Sequence, residues 1–442
     1  MKHGKLLSII LVVTLMISLL AGCGKSNEVS ESKNSESTST SESKDKPFEG
    51  ETLTVLYMSS VYTEAAKKMV PEFEEKTGAK VEVVDFPYVT LHEKSLLDLT
   101  SSTGSYDVMS VACQWDGEFA PYMENLDKFI KADNYDTTDF IPNVFENAGK
   151  WQGDIIGIPH ANTPMVIAYR TDLIDKMPDT WDGYLELAKE FTKPDEGMYG
   201  VSIPGVKEQF AGLWDIRLWS MGGAWADKDW NVTVNSQEGK KAMEHVKELT
   251  KYADPAALSW GLEESIKAFL DGKAAVCEAW PTLGITQNGD NPEKSKIVGK
   301  WALASYPKDK TGETMLSAWD LSIPKASENK ELAWEWIKMY SSKEKGSEFY
   351  KEFNILSPRE SFWKTDAIVG TPIEDVRPAL DTALIWWRVP ASTEADTAVG
   401  MAVSSVMSGQ KTTEEALEEL EEGLKAALEN NPIDEGIKNT GK

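Results

Sequence analysis

The sequence predicts an α/β protein whose globular part is large enough for two lobes. Three observations carry this. A strand, helix, strand rhythm opens the globular part and recurs along it. About 390 residues follow a polar N-terminal tract, more than one ordinary core holds. No self-similarity at a solenoid or propeller period competes with that reading.

Residues 53–58 alternate as a half-buried strand, residues 64–76 carry apolar side chains at helical spacing, and Gly78 stops that helix. Residues 80–84 alternate again, so the unit begins a parallel sheet. A helix near 91–100 and a strand over 106–111 continue the rhythm. Residues 180–191 form a helix with Thr180 as N-cap, and Gly183 is a blemish in its first turn. A short strand covers 274–276. Trp334, Trp336 and Tyr340 fall at core spacing on a helix and are packing residues. The last clear element is 412–428, where Ala416, Leu417, Leu420, Leu424 and Leu428 share one face and the Glu-rich opposite face is solvated.

The N-terminus carries an address. Lys2 and Lys5 precede a 15-residue apolar run, residues 6–20, followed by Ala21-Gly22-Cys23. A membrane span needs roughly 20 apolar residues, so the run is short for one. Leu20-Ala21-Gly22-Cys23 resembles the lipobox of bacterial lipoproteins, in which the cysteine thiol is lipidated and becomes the mature first residue. An uncleaved anchor, or an ordinary signal with a chance cysteine, is the alternative. The expectation is a signal peptide over 1–22, palmitate-type acylation at Cys23 and a flexible tether over 23–49. Two acyl chains hold a protein stably where one is marginal. The tether has an r.m.s. reach of about 25–30 Å. The body would then work at the extracytoplasmic face of the cell membrane.

Composition excludes several classes. Loss of Lys2 and Lys5 with the signal leaves 44 Lys+Arg against 72 Asp+Glu, which moves the formal net charge from −26 to −28. Nucleic acid is not expected as a partner. Beyond Cys23 only Cys113 and Cys277 remain, with no CxxC spacing, so buried free thiols are expected rather than a disulfide framework. His92, His160 and His245 lie far apart without ligand spacing, and neither a metal nor another cofactor is expected. Sixteen Trp must fill cores or face a ligand.

Segments spread over the chain resemble the extracellular solute-binding proteins of sugar-type ABC importers, whose relatives bind maltose. Residues 73–81 and 105–108 look like that family's first helix and second and third strands. Gly157-Ile158-Pro159 with residues 167–173 is similar to its first crossover between lobes. Residues 269–275 with Trp280-Pro281, then residues 322–325 and 331–337, continue the pattern in order. Pro87-Tyr88, Leu91, Lys94 and residues 115–120 look most like the branch taking monosaccharides, polyols and short oligosaccharides. The resemblance implies two α/β lobes, each a sheet flanked by helices, joined by hinge segments that let them close over a solute. Lobe 1 would be 50–171 plus 312–345, and lobe 2 172–311 plus 346–442. It also implies a membrane permease as partner and a monomer in solution.

A sugar presents an apolar face and a rim of hydroxyls, which calls for flat aromatics beside Asp, Glu, Asn or Arg. In α/β lobes ligands sit beyond the carboxyl ends of strands. Those two rules select Trp115 and Asp116, Glu278 and Trp280, and Tyr62. By resemblance Trp319 and Asp320 enter at a cleft loop, where Asp320 either accepts a hydroxyl or is structural. Arg359 forks either to two hydroxyls or to an Asp across the hinge. Trp386-Trp387-Arg388 is ambiguous, because adjacent tryptophans on an extended segment cannot both face one core. Trp387 and Arg388 are candidates, and Trp214 is a further one.

The expected function is capture of a carbohydrate or polyol for a permease, without catalysis. One alternative keeps the fold and changes the solute to a peptide, polyamine or phosphorylated compound, although no Gly-rich or Arg-clustered cradle is evident. The other is a surface glycoside hydrolase, which needs two carboxylates about 5–10 Å apart. Asp116, Glu278 and Asp320 are its possible carboxylates.

Overall fold

The computed structural model describes residues 46–434 and 437–439, with residues 207–210 by backbone alone. The expected signal peptide, Cys23 and nearly all of the tether lie outside the described residues. Local chemistry sets the first unit. Strand β1 (Thr52–Met58) leads to helix Val61–Thr77, whose N-terminus is capped by the Ser60 hydroxyl accepting from Tyr62 N at 3.2 Å. Gly78 ends that helix at φ +85°, a conformation costly for residues with a Cβ. Glu74 then accepts from Val81 N at 3.1 Å and pins the start of strand β2 (Lys80–Phe86).

The remaining strands are β3 (Val108–Ala112), the hairpin pair β4 (Lys150–Trp151) and β5 (Asp154–Ile155), β6 (Gly157–Pro164), β7 (Val166–Arg170), β8 (Tyr199–Ser202), β9 (Ala274–Ala279), β10 (Trp301–Ala304) and β11 (Leu316–Ser322). The first main sheet has the order β2-β1-β3-β11-β6. β1 runs parallel to both neighbours, with Val55 opposite Val83 and Val108, while β11 is antiparallel to β3 and β6. The second sheet has the order β10-β7-β9-β8, with β7 antiparallel to β9 and β10 and β8 parallel to β9. Helices flank both sheets, giving two α/β lobes.

Each lobe has its own core. In lobe 1 Leu53, Val55 and Tyr57 pack with Phe73, Trp334, Trp336 and Tyr340, and Trp336 Nε1 donates to Tyr57 Oη at 2.9 Å. In lobe 2 Tyr184, Trp214, Trp219 and Val276 pack with Val399, Val403, Leu417 and Leu420. Helix Trp181–Phe191 starts at the expected Thr180 cap, which accepts from Gly183 N at 3.2 Å. A Cβ at 183 would stand 3.0 Å from Pro178 and 3.1 Å from the cap hydroxyl, so the apparent blemish makes room for the cap. Helix Thr413–Asn430 carries the capping box of Thr412 and Glu415.

The chain passes between the lobes three times, two of them between strands of the main sheets. Met165 alone separates β6 from β7, so the first crossover comes before residue 171, the expected edge of lobe 1. The second runs from β10 to β11. Helix Lys343–Phe353 still packs on lobe 1 through Phe349, so the expected switch at 346 falls inside a lobe 1 helix. The third crossover passes Leu384. The three run side by side: Met165 N donates to Met315 O at 2.8 Å, Thr314 Oγ1 to Met165 O at 2.6 Å, and Leu384 N to Thr314 O at 2.8 Å. Cys113 and Cys277 are free and buried, and burial pushes the Cys113 thiol up to about 12. No helix among the described residues is long and apolar enough to cross a membrane.

Candidate ligand-binding cleft

The three parallel strands of lobe 1 deliver aromatics at their carboxyl ends. Tyr62 follows β1, Tyr88 follows β2 and Trp115 follows β3. Trp319, opposite Ala112 in the β11–β3 ladder, joins them from the antiparallel strand. The rings form one wall. Trp115 lies 4.9 Å from Tyr88 and 5.7 Å from Trp319, and Tyr62 lies 5.7 Å from Trp319, centroid to centroid. These tilted and edge-on geometries suit the ring quadrupoles. Trp115 and Trp319 are buried, Tyr62 is half-buried and Tyr88 is 41% exposed, so the tyrosines form the accessible surface over the two indoles. Gln114 Nε2 donates to Tyr88 Oη at 2.5 Å. His160 sits behind Tyr62 at 5.2 Å, hydrogen-bonded to Ser110 at 2.9 Å, and burial lowers its pKa to about 3, which keeps it neutral.

Lobe 2 contributes residues that sequence reasoning missed. Asp396, on helix Ser392–Met407, is near enough to Tyr88 that its charge helps raise the phenol's pKa, after burial of the ring itself. It also acts on Asp215, whose two oxygens accept from Trp225 Nε1 and Trp386 Nε1, each at 2.8 Å. Asp396 Oδ1 is screened from water and has no hydrogen-bond partner. Trp280, just past β9, is half-buried with its own indole N–H unpartnered. An acid beside Ala395, Ala398, Val399 and Gly400 was the signal available for Asp396; for Tyr88 it was the position directly after a strand and Pro87.

Several expected ligand residues have other partners. Glu278 lies on a strand buried along its whole length and holds Arg217 through contacts of 2.6 and 3.1 Å, while Tyr184 Oη donates to it at 3.0 Å. It is a core ion pair because burial of a carboxylate demands such partners. Trp214 is wholly buried in lobe 2 and donates to Gly239 O. Of the tandem tryptophans Trp387 is the core residue, at 5.5 Å from both Trp225 and Trp230, and Trp386 is the half-buried one. Arg359 donates to Ser341 O and Tyr135 Oη at 2.7 Å each and lies 4.2 Å over Phe140. It clasps lobe 1 to itself.

Asp116, Asp320 and Arg388 form a buried triad. Arg388 Nη2 donates to Asp116 Oδ2 at 2.6 Å and to the Lys150 carbonyl, and its Nη1 to Glu146 O at 3.2 Å. Ser322 Oγ donates to Asp320 Oδ1 at 2.6 Å, which leaves Asp116 Oδ1 and Asp320 Oδ2 without other partners. Burial, then the Asp116 charge, raises the Asp320 pKa well above the carboxylate range. A Cβ at Gly117 would lie 1.7 Å from the Arg388 carbonyl oxygen; only glycine permits this approach. The triad is a joint between the lobes.

Two α/β lobes joined by three adjacent crossovers, with an aromatic wall where the strands end, define a receptor for a small solute. Residues 59–346 match the family model described as bacterial extracellular solute-binding protein, and the chain belongs to that family. Its members bind solutes and are not enzymes. The probable amino-acid ABC transporter periplasmic-binding protein of Sinorhizobium fredii is 27% identical over 301 residues, spanning 65% of this chain and 68% of its own. The mannitol-binding protein of Pseudomonas aeruginosa is 26% identical over 260 residues, spanning 55% of this chain and 58% of its own, less than two thirds of that relative. Among solved structures, an ABC transporter solute-binding protein from Agrobacterium radiobacter K84 in complex with ribitol aligns with TM-score 0.77 at 26% identity, covering 86% of this chain and all of that one.

Proposed function

We propose that this protein captures a small carbohydrate or polyol between its lobes and delivers it to an ABC permease. The observation that carries the reading is the wall of Tyr62, Tyr88, Trp115 and Trp319 at the ends of three parallel strands. Relatives that bind mannitol and ribitol support it. Trp280 and Trp386 would flank the solute from lobe 2. Lobe closure would be a hinge motion favoured by contacts that exist only with solute bound. Acylation at Cys23 and the tether would hold a monomeric receptor at the outer face of the cytoplasmic membrane, near its permease.

The amino-acid transporter relative offers a second reading. An amino acid needs a cation for its carboxylate, and Arg217, Arg359 and Arg388 are already paired with Glu278, Asp139 and Asp116. That favours the sugar or polyol. Titration of intrinsic tryptophan fluorescence with sugars, polyols and amino acids tests the choice. Saturable binding of a sugar or polyol, recovered unchanged, is the expected result; saturation by amino acids alone would overturn it.

A further inference from the structure

We propose that Asp396 is the hydroxyl acceptor on the lobe 2 wall of the cleft, and that it restricts the site to hydroxyl-rich solutes without negative charge. The inference rests on the sugar or polyol reading and goes further, to one residue and one charge class.

The placement of Asp396 is unusual for an acid. The side chain is half-buried, and where Asp116, Asp320, Glu278 and Asp215 each hold at least one donor (Arg388, Ser322, Arg217 with Tyr184, and two indoles), Asp116 and Asp320 still leave one oxygen unpartnered. Asp396 Oδ1 has none, although it is closed off from water. A buried polar atom without a partner is costly, and it persists in a native structure where something else supplies the missing bond. Asp396 stands close enough to Tyr88, a member of the aromatic wall, for its charge to act on the phenol. On this proposal a solute lying on Tyr88 sits beside Asp396.

The chemistry of the neighbours fixes the class of solute. Asp396 faces another carboxyl, Asp215, and a phenol, and its own pKa is pushed up to about 6 by burial. Hydroxyls of a neutral polyol donate to such a group and restore what burial removed. A carboxylate or phosphate on the solute would instead meet like charge in a poorly solvated site, with the buried arginines already engaged.

The experiment compares the wild-type protein with Asp396→Asn, which keeps the shape and removes the charge. Affinities are measured by calorimetry for neutral sugars and polyols, for the aldonic acids and phosphate esters of the solutes that bind, and for amino acids. The asparagine variant should unfold at the same temperature as wild type or higher, since the native carboxylate has no partner to lose. It should bind the neutral solute about tenfold or more weakly, as for loss of a hydrogen bond to a charged group. Wild type should discriminate against the anionic analogues by at least as much, and the variant should narrow that gap. Unchanged affinity for the neutral solute in the variant, or equal affinity of wild type for the anionic analogue, would overturn the role of Asp396 while leaving the sugar or polyol reading intact. Binding of amino acids with no response to any sugar or polyol would overturn both. A clear drop in unfolding temperature for the variant would show that Asp396 has a structural partner and would also overturn the proposal.

Discussion

Arg388, carried by the chain of lobe 2, donates to Asp116 of lobe 1 at 2.6 Å, with both side chains out of contact with water. Such a pair contributes little relative to apolar residues, but breaking it strands a buried charge. Arg388→Met should therefore lower stability by about 3–5 kcal/mol in urea unfolding. Normal stability together with lost solute affinity would return Arg388 to the binding surface.

The Glu278–Arg217 pair makes the same point inside lobe 2, where both side chains are fully buried. Glu278→Ala leaves the Arg217 guanidinium with its Leu213 carbonyl and His245 contacts but no counter-charge. A loss of about 3–5 kcal/mol is expected. The folded fraction should bind solute as wild type does, which fluorescence titration of the purified variant checks.

The aromatic wall divides into exposed and packed members. Tyr88→Ala should weaken solute binding by about 1–2 kcal/mol, roughly tenfold in Kd, because the ring is an anchor on an accessible surface. Its unfolding midpoint should move little. Trp319→Ala removes a buried indole and should cost about 3–5 kcal/mol of stability as well as affinity. Equal stability losses for the two would mean that Tyr88 is packed like Trp319.

His160 and His245 give the fold an acid limit. Each is held neutral by burial with a pKa of about 3, below the ordinary value of 6.5. A depressed folded pKa means that stability is complete above pH 6.5 and falls as the unfolded chain gains protons, down to about pH 3. The expected slope is about 1.4 kcal/mol per pH unit for each histidine. Thermal midpoints of His160→Gln, which keeps a donor toward Ser110, should fall less steeply over that range. A parallel decline would remove His160 from the explanation.

Much of the fold was legible in the sequence because local chemistry decides it. Gly78 and Thr180 mark helix ends whose caps the structure contains. The site was half legible. Trp115 and Trp319 were expected at the cleft edge and stand in the aromatic wall, since the positions after β3 and along β11 follow from strand order. The roles of Glu278 and Trp214 were not legible, because a residue type that suits a sugar also suits a buried network, and their partners Arg217 and Gly239 lie 61 and 25 residues away in the chain. For Arg359 an Asp partner was one of the two expected roles, and it pairs with Asp139. Trp386 and Trp387 show the limit most plainly: alternation requires opposite faces, but only the packed lobe fixes which one is inward. The crossover edges were misplaced for a related reason, since Val166 continues the strand-like pattern of β6 with only Met165 between them.

The line of contacts from Met165 through Thr314 to Leu384 has a mechanical consequence. Three segments bonded to their neighbours at one level cannot slide past one another without breaking those bonds, and they cannot bend independently. Those bonds oppose shear and twist between the lobes, and rotation about that line breaks none of them. If the lobes close over a solute as proposed, occupancy of the cleft would be expressed as a single angle, which a permease touching both rims would read as one distance.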